Sequence, residues 1–348
     1  MSGPSRQRFR APSTPAAAAA GVFLSGLTAL ILLGSVARTV CSATVPTDQT
    51  PPFQTARWTR TLSLPPGSRL DLTNIAGNVT LLGTAGRQLR LAAVKEVAGP
   101  AGESARALLE AIRIELTGGD ESAEVRVTHP PAAEIRRLTG RQSDAALIGV
   151  SFTVELPRDC DVSITTGSGD ITARDTGGDV RLETRSGEVL VTDAAGVVEA
   201  GSMQGDIRIE RAAEVRYVNT VSGGIVLVAI AGSIKATCVS GDIEIRGGTP
   251  LSVDASSTGG GIRWEGAVPA ESSFALSSHS GAIEFIAAPG AGFTISLSTV
   301  SGNIVAPLDL DLQGQNVSRR SVSGTWGVPR AQVTLTTFSG DITLTVRP

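Results

Sequence analysis

The chain is short of the side chains that most often carry chemistry. Its 348 residues include two histidines, His129 and His279, and two lysines, Lys95 and Lys235. Tetrahedral zinc wants several nitrogen or sulfur ligands close together, and this chain does not offer them. Two lysines leave little room for Schiff-base chemistry. No nucleophile-elbow sequence accompanies either histidine, so a Ser/His/Asp triad is not expected. Aromatics make up 3% of the chain, with one Tyr and three Trp, which argues against a sugar groove paved with rings. Basic clusters are missing as well. Beyond residue 43 there are 26 basic and 33 acidic residues, a net charge of −7. That balance disfavours nucleic acid and polybasic docking to membranes as partners.

Cysteine is scarce too. Of three, Cys41 lies in the N-terminal segment, while Cys160 and Cys238 alternate with inward-facing residues. The last two are 78 residues apart, so buried free thiols are expected rather than a disulfide.

Glycine is abundant, with 40 residues, and it is periodic. Ser168-Gly169-Asp170-Ile171 is followed by Ser186-Gly187-Glu188-Val189, Gln204-Gly205-Asp206-Ile207, Ser222-Gly223-Gly224-Ile225 and Ser240-Gly241-Asp242-Ile243. These glycines stand 18 residues apart, and Gly178, Gly196 and Gly232 fall halfway between. A fixed period marks a repeat architecture. After each corner, apolar and polar residues alternate: Ile207 and Ile209 flank Arg208, and Ile243 and Ile245 flank Glu244. Strict alternation is a strand with one buried face. Two strands and two corners close one coil, and coils stack at about 4.8 Å. The predicted fold is all-β, a parallel β-solenoid with coils of 18–22 residues and one short flanking helix. One coil alone cannot bury its apolar face, so neighbours must supply the stability.

The first 43 residues are different. Arg6, Arg8 and Arg10 precede a small, apolar run from Ala16 to Ala37 that has no acidic residue. This is the layout of a secretory signal peptide, or of an uncleaved signal anchor. A lipid attachment at Cys41 is the third reading. Each places the body outside the cytoplasm: periplasmic, at the cell surface, or membrane-anchored with an extracytoplasmic domain. Residues 44–57 read as a linker, and 58–348 as the solenoid domain. Within it, 58–156 form looser coils with a helix near 103–112, where Ala105, Leu108, Leu109 and Ile112 recur at helical spacing. Pro130 to Gly149 reads as an exposed loop. Residues 157–247 are the regular coils, with one flaw: Ala213-Glu214-Val215 arrives one residue early. Residues 248–348 form longer coils marked by Gly260, Gly281, Gly302, Gly324 and Gly340, with added residues such as Pro307 to Asn316 in their corners. Trp264 and Trp326 fall in or beside inward slots and are expected in the core.

The repeated S-G-D-I corner, the opening "LPPGSRLDLTNIAGNVTLLG", the helix "ESARALLEAI" and the later "VSFTVELP" resemble the bacterial DUF4097 family of adhesin-type, β-strand-repeat proteins. The resemblance spans Trp58 to Arg347. It implies a non-enzymatic, envelope-associated role and supplies no catalytic, cofactor or metal residues.

Two constellations compete with that bland reading. Asp170, Glu188, Asp206 and Asp242 occupy equivalent corners. They either cap turn amides or, if neutralised by an ion, hold calcium. The glycine-rich order of calcium-binding nonapeptides is absent, so capping is favoured. Outward Arg174, Arg181, Glu183 and Glu199 suggest, as an alternative, a carbohydrate-active β-helix enzyme. Scattered charges favour the non-catalytic reading: an exported adhesin-like, scaffold or signalling module of the envelope. Its expected partner is an envelope protein or a surface glycan, no cofactor is expected, and the membrane is met only through an uncleaved N-terminal segment.

Overall fold

A computed structural model describes residues 53–98, 102–119, 121–139, 148–307, 311–312 and 320–347. The expected signal segment, Cys41 and most of the linker lie outside the described residues, as do most of the Pro307 to Asn316 insertion and residues 140–147.

The chain begins with β1 (Phe53–Ser63), β2 (Arg69–Ala76), β3 (Val79–Thr84) and β4 (Gln88–Ala98). Helix α1 (Glu103–Ala111), β5 (Arg113–Gly118), β6 (Ser122–Thr128), helix α2 (Ala132–Thr139) and β7 (Ile148–Pro157) follow. The regular region holds β8 (Asp161–Ser168), β9 (Ile171–Thr176), β10 (Val180–Ser186), β11 (Val189–Gln204), β12 (Ile207–Ser222), β13 (Ile225–Ile230), β14 (Ser233–Ser240), β15 (Ile243–Gly248), β16 (Ser252–Ser257), β17 (Ile262–Gly266), β18 (Ser273–Ser278) and β19 (Ile283–Ala287). The last strands are β20 (Phe293–Thr299), β21 (Ile304–Val305), β22 (Asp311–Leu312), β23 (Ser321–Trp326), β24 (Ala331–Thr337) and β25 (Ile342–Val346).

These strands build the predicted β-solenoid, with two parallel faces enclosing one core. Face A runs β5, β6, β2, β8, β10, the C-terminal half of β11, that of β12, then β14, β16, β18, β24, β20, β23 and β22. Face B runs β1, β4, β7, β3, β9, the N-terminal halves of β11 and β12, then β13, β15, β17, β19, β25 and β21. Alternation makes the core: Val79, Ile171, Val189, Ile207, Ile225, Ile243, Ile262, Ile283 and Ile342 stack in register, all at 0–1% exposure. Each such side chain contributes about 1.5–3 kcal/mol of transfer free energy. β-branched residues suit this pleated, half-buried surface.

The stack departs from chain order at both ends. The coil of β2 and β3 does not sit outermost. It lies between the coil of β6 and β7 and that of β8 and β9. Likewise β24 and β25 insert between β18 with β19 and β20 with β21. At each end the chain lays down an inner coil and an outer coil in reversed order. Three of the four edges are finished by antiparallel pairings, β5 beside β6, β4 and β1 beside β7, and β23 and β22 beside β20, while face B ends on short, parallel β21.

Several expectations are corrected in detail. Strand β1 starts at Phe53, inside the stretch read as linker, because it pairs along its length with β4. The supposed loop from Pro130 contains α2, started by Pro130-Pro131 and packed on α1. Helix α1 itself appears where expected and buries Ala105, Leu108 and Leu109. Lys95 Nζ ties its end down by donating to the Leu109 and Ile112 carbonyls. Gly324 is no corner: it lies within antiparallel β23, opposite Ile295. Trp326, at the end of that strand, is only partly buried, whereas Trp264 is wholly buried. Trp264 packs with Phe274 at 4.8 Å and Phe285 at 6.2 Å between ring centroids. The larger rings fill the wider coils, as the longer period requires. Cys160 and Cys238 are buried free thiols, as expected.

Candidate recognition face

The corners fix everything outward of them. Gly187, at φ 150°, sits with its Cα against the coil below: an added Cβ would lie 2.2 Å from the Gly169 carbonyl oxygen. Only glycine permits that approach. The same contact recurs from Gly77 through Gly241 and Gly281 to Gly302. Three residues before each corner stands a buried hydroxyl. Thr184, Ser202, Thr220, Ser257 and Ser278 donate from Oγ to the corner carbonyl of the coil below at 2.9–3.3 Å. Cys238 takes this place with its thiol, 3.3 Å from the Gly223 carbonyl. Burial pushes the Cys238 thiol above its usual pKa, which suits a packed group rather than a reactive one.

Of the four acidic corner residues, Asp170, Asp206 and Asp242 cap backbone, and they do so between coils. Asp170 Oδ1 accepts from the Glu188 amide at 2.9 Å, Asp206 from the Gly224 amide at 2.7 Å, and Asp242 from the Gly261 amide at 2.7 Å. Asn78 opens the series on the Asp170 amide and Asp341 closes it on Asn303. Among the described residues no cluster of His, Cys, Asp and Glu is arranged to hold a metal ion.

With the corners locked, outward side chains of face A form straight rows. Nearest the corner runs a mostly apolar row, interrupted by Thr258 and preceded by Arg185: Met203, Val221, Val239, Phe338 and Val300, each 44–53% exposed. His279 belongs to this row; its ring stacks on Phe338 at 4.9 Å. Beside it runs a row of small polar groups, Asn219, Thr237, Ser256, Ser277, Thr336 and Ser298, in register.

One place breaks the regularity. The corner that comes one residue early at Ala213 shortens its coil, and β12 recovers the register with a bulge. Val198 pairs with Val215, yet the next residue Glu199 pairs with Tyr217. Arg216 is the extra residue, so Arg216 and Tyr217, adjacent in sequence, both face outward. Bulges re-aim side chains in this way. One strand away, Gly201 leaves its outward position empty between Glu183 and Asn219. The result is a cleft of about 550 Å³, within the range of small-ligand sites. Glu183 and Asn219 flank Gly201 within its own row; Met203 and Val221 border that row on the corner side, and Tyr217, with Glu199 and Arg181, borders it on the other.

The charges here are mutually satisfied. Arg181 bonds Glu183 at 2.6 Å and Glu199 at 3.2 Å, and Arg216 reaches Glu199 at 3.3 Å. The Glu183 hydrogen bond, together with its charge, raises the Arg181 guanidinium above its usual pKa. Of the four outward residues singled out from sequence, Arg181, Glu183 and Glu199 come together here, while Arg174 lies on face B. His129 is elsewhere and half-buried, its pKa lowered by desolvation. Gly201 and the Tyr217 bulge escaped the sequence reading; the early corner at 213–215 was their signal.

The chain is similar to three solved structures, each at a low TM-score. A "putative adhesin" from Bacteroides fragilis is 14% identical, with 83% of this chain and 97% of that one covered at a TM-score of 0.41. A "putative cell adhesion protein" from Clostridium sporogenes is 10% identical, with 84% and 100% covered at 0.26. A third, from Parabacteroides merdae, is 8% identical, with 84% and 96% covered at 0.25. No curated protein matches the chain. The Toastrack DUF4097 family model matches residues 109–345, from within α1 to the last strand. The chain therefore belongs to the Toastrack DUF4097 family.

Proposed function

We propose that this chain is a non-catalytic, exported recognition module of the cell envelope, adhesin-like in action, which presents face A to a partner at a surface. The observation that carries this reading is the pair of parallel rows, apolar beside polar, held in register coil after coil. Such a face offers the same contact repeatedly along its length, and weak contacts repeated on one rigid support add as avidity. The adhesin-like architecture and the signal-type N-terminus point the same way. Among the described residues no helix is long and apolar enough to cross a membrane. The partner is a surface glycan or an envelope protein.

The test combines fractionation with binding. Tagged protein expressed from the full chain should appear outside the cytoplasm, and the purified body should adhere to envelope preparations without consuming them. Hydrolysis or elimination of a polysaccharide, abolished by Glu183→Gln or Glu199→Gln, would instead establish the enzyme reading.

A further inference from the structure

We propose that the cleft over Gly201 is a subsite for one uncharged sugar unit of an extended oligosaccharide. The inference rests on the recognition reading above and narrows it to a ligand class.

Two independent departures from the repeat meet at this spot. Gly201 removes a side chain from the floor, the β12 bulge swings Tyr217 outward, and a one-residue deletion in the preceding corner makes that bulge necessary. Tyr217 is the chain's single tyrosine and is 41% exposed. A sugar ring has a face of C–H groups and a rim of hydroxyls. The cleft offers both: Tyr217 and Met203 border the Gly201 row with apolar surface, and the Glu183 carboxylate and Asn219 amide stand within that row on either side of Gly201. Planar groups of this kind give paired donors and acceptors to vicinal hydroxyls.

The charge pattern selects against ionic ligands. Arg181, Glu183, Glu199 and Arg216 form a closed network, so an anion or a cation would have to displace an existing partner. Arg185, at the rim, has no carboxylate within ion-pair distance among the described residues, and it is the residue through which an acidic sugar would act instead.

The cleft can be closed without breaking the fold. Gly201 lies in a strand with ordinary backbone geometry, and an added Cβ comes closest to the tip of the flexible Asn219 side chain, at 2.9 Å, with Glu183 Cγ at 4.0 Å. Gly201→Val should therefore fold and melt no lower than wild type while filling the floor. Calorimetry with cello-, manno- and xylohexaose should show binding of at least one to wild type. Gly201→Val and Tyr217→Ala should each weaken it by about tenfold or more. Equal binding by all three proteins would overturn the assignment. So would binding confined to uronate oligomers and lost in Arg185→Ala, or no binding of any of the sugars. Adhesion of the same proteins to envelope preparations separates the two levels. Adhesion that survives both variants sinks the sugar site alone, whereas a wild type that adheres to nothing sinks the recognition reading with it.

Discussion

At the scale of the residue, the corner glycines serve two purposes that can be measured apart. Gly67 has φ 81° and open space around its missing Cβ, so Gly67→Ala meets only backbone strain, about 1 kcal/mol. Gly281 has no positive φ, but a Cβ there would lie 1.9 Å from the Gly260 carbonyl oxygen. Gly187 combines both faults. The expected order of destabilisation in urea melts is Gly187→Ala worst, Gly281→Ala next and Gly67→Ala least. A Gly187→Ala protein as stable as Gly67→Ala would show that the coils move apart freely. The 18-residue glycine step was plain in the sequence because only glycine fits. The hydroxyl ladder, equally periodic, was not, since Ser, Thr and Cys all serve and its acceptor lies 15 residues back. The opposite corner hides better still. Asp175, Asp193, Arg211 and Ala229 all adopt φ between 53° and 59°, and no residue type announces it.

At the scale of the element, alternation sets which side chains are inside. Ile207 is wholly buried, whereas its neighbour Arg208 is exposed and bonds Glu210 at 2.5 Å. Ile207→Asp places an uncompensated charge in the aliphatic stack and should cost about 4 kcal/mol or more. Arg208→Asp gives up an exposed ion pair and should cost about 1 kcal/mol at most. Comparable thermal shifts for the two would refute the assignment of faces. Strands and their inward positions were therefore legible from period alone. Their stacking order was not. Every coil presents nearly the same aliphatic ladder, so nothing in β2 and β3 states that they fit between β7 and β9 rather than outside them. The helix α2 was obscured by its own start: two prolines read as a loop, although proline is at home in a first helical turn.

At the scale of the whole molecule, the reversed end coils change how the fold can open. In a simple solenoid each coil touches only neighbours in sequence, and the ends peel. Here β2 is gripped on one side by β6 and on the other by β8, 92 residues away from Arg69 at Asp161. Native-state hydrogen exchange should therefore find β2 amides as protected as those of β10 and β14. The short outer strand β21 should exchange much faster, through local fraying. Rapid exchange throughout β2 would contradict the inserted coil. The recognition face was half legible at this scale. Its paired charges on β10 and β11 were found, but the cleft depends on a missing side chain and a bulge, which show themselves only once strands are in register.

The borders of the stack have one further consequence. A parallel stack of near-identical rungs is, in principle, a growing polymer end: each exposed rung could template another molecule. Reversed β5 and the two-residue strands β21 and β22 make poor templates at three of the four borders, which limits such growth. Between those ends the rungs are interchangeable units. Gaining or losing one 18-residue segment, such as Gly223 to Ser240, would lengthen or shorten the body by about 4.8 Å and leave both terminal assemblies intact. The molecule is in this sense an adjustable spacer. Its length can be changed by whole-number steps without altering the cleft over Gly201.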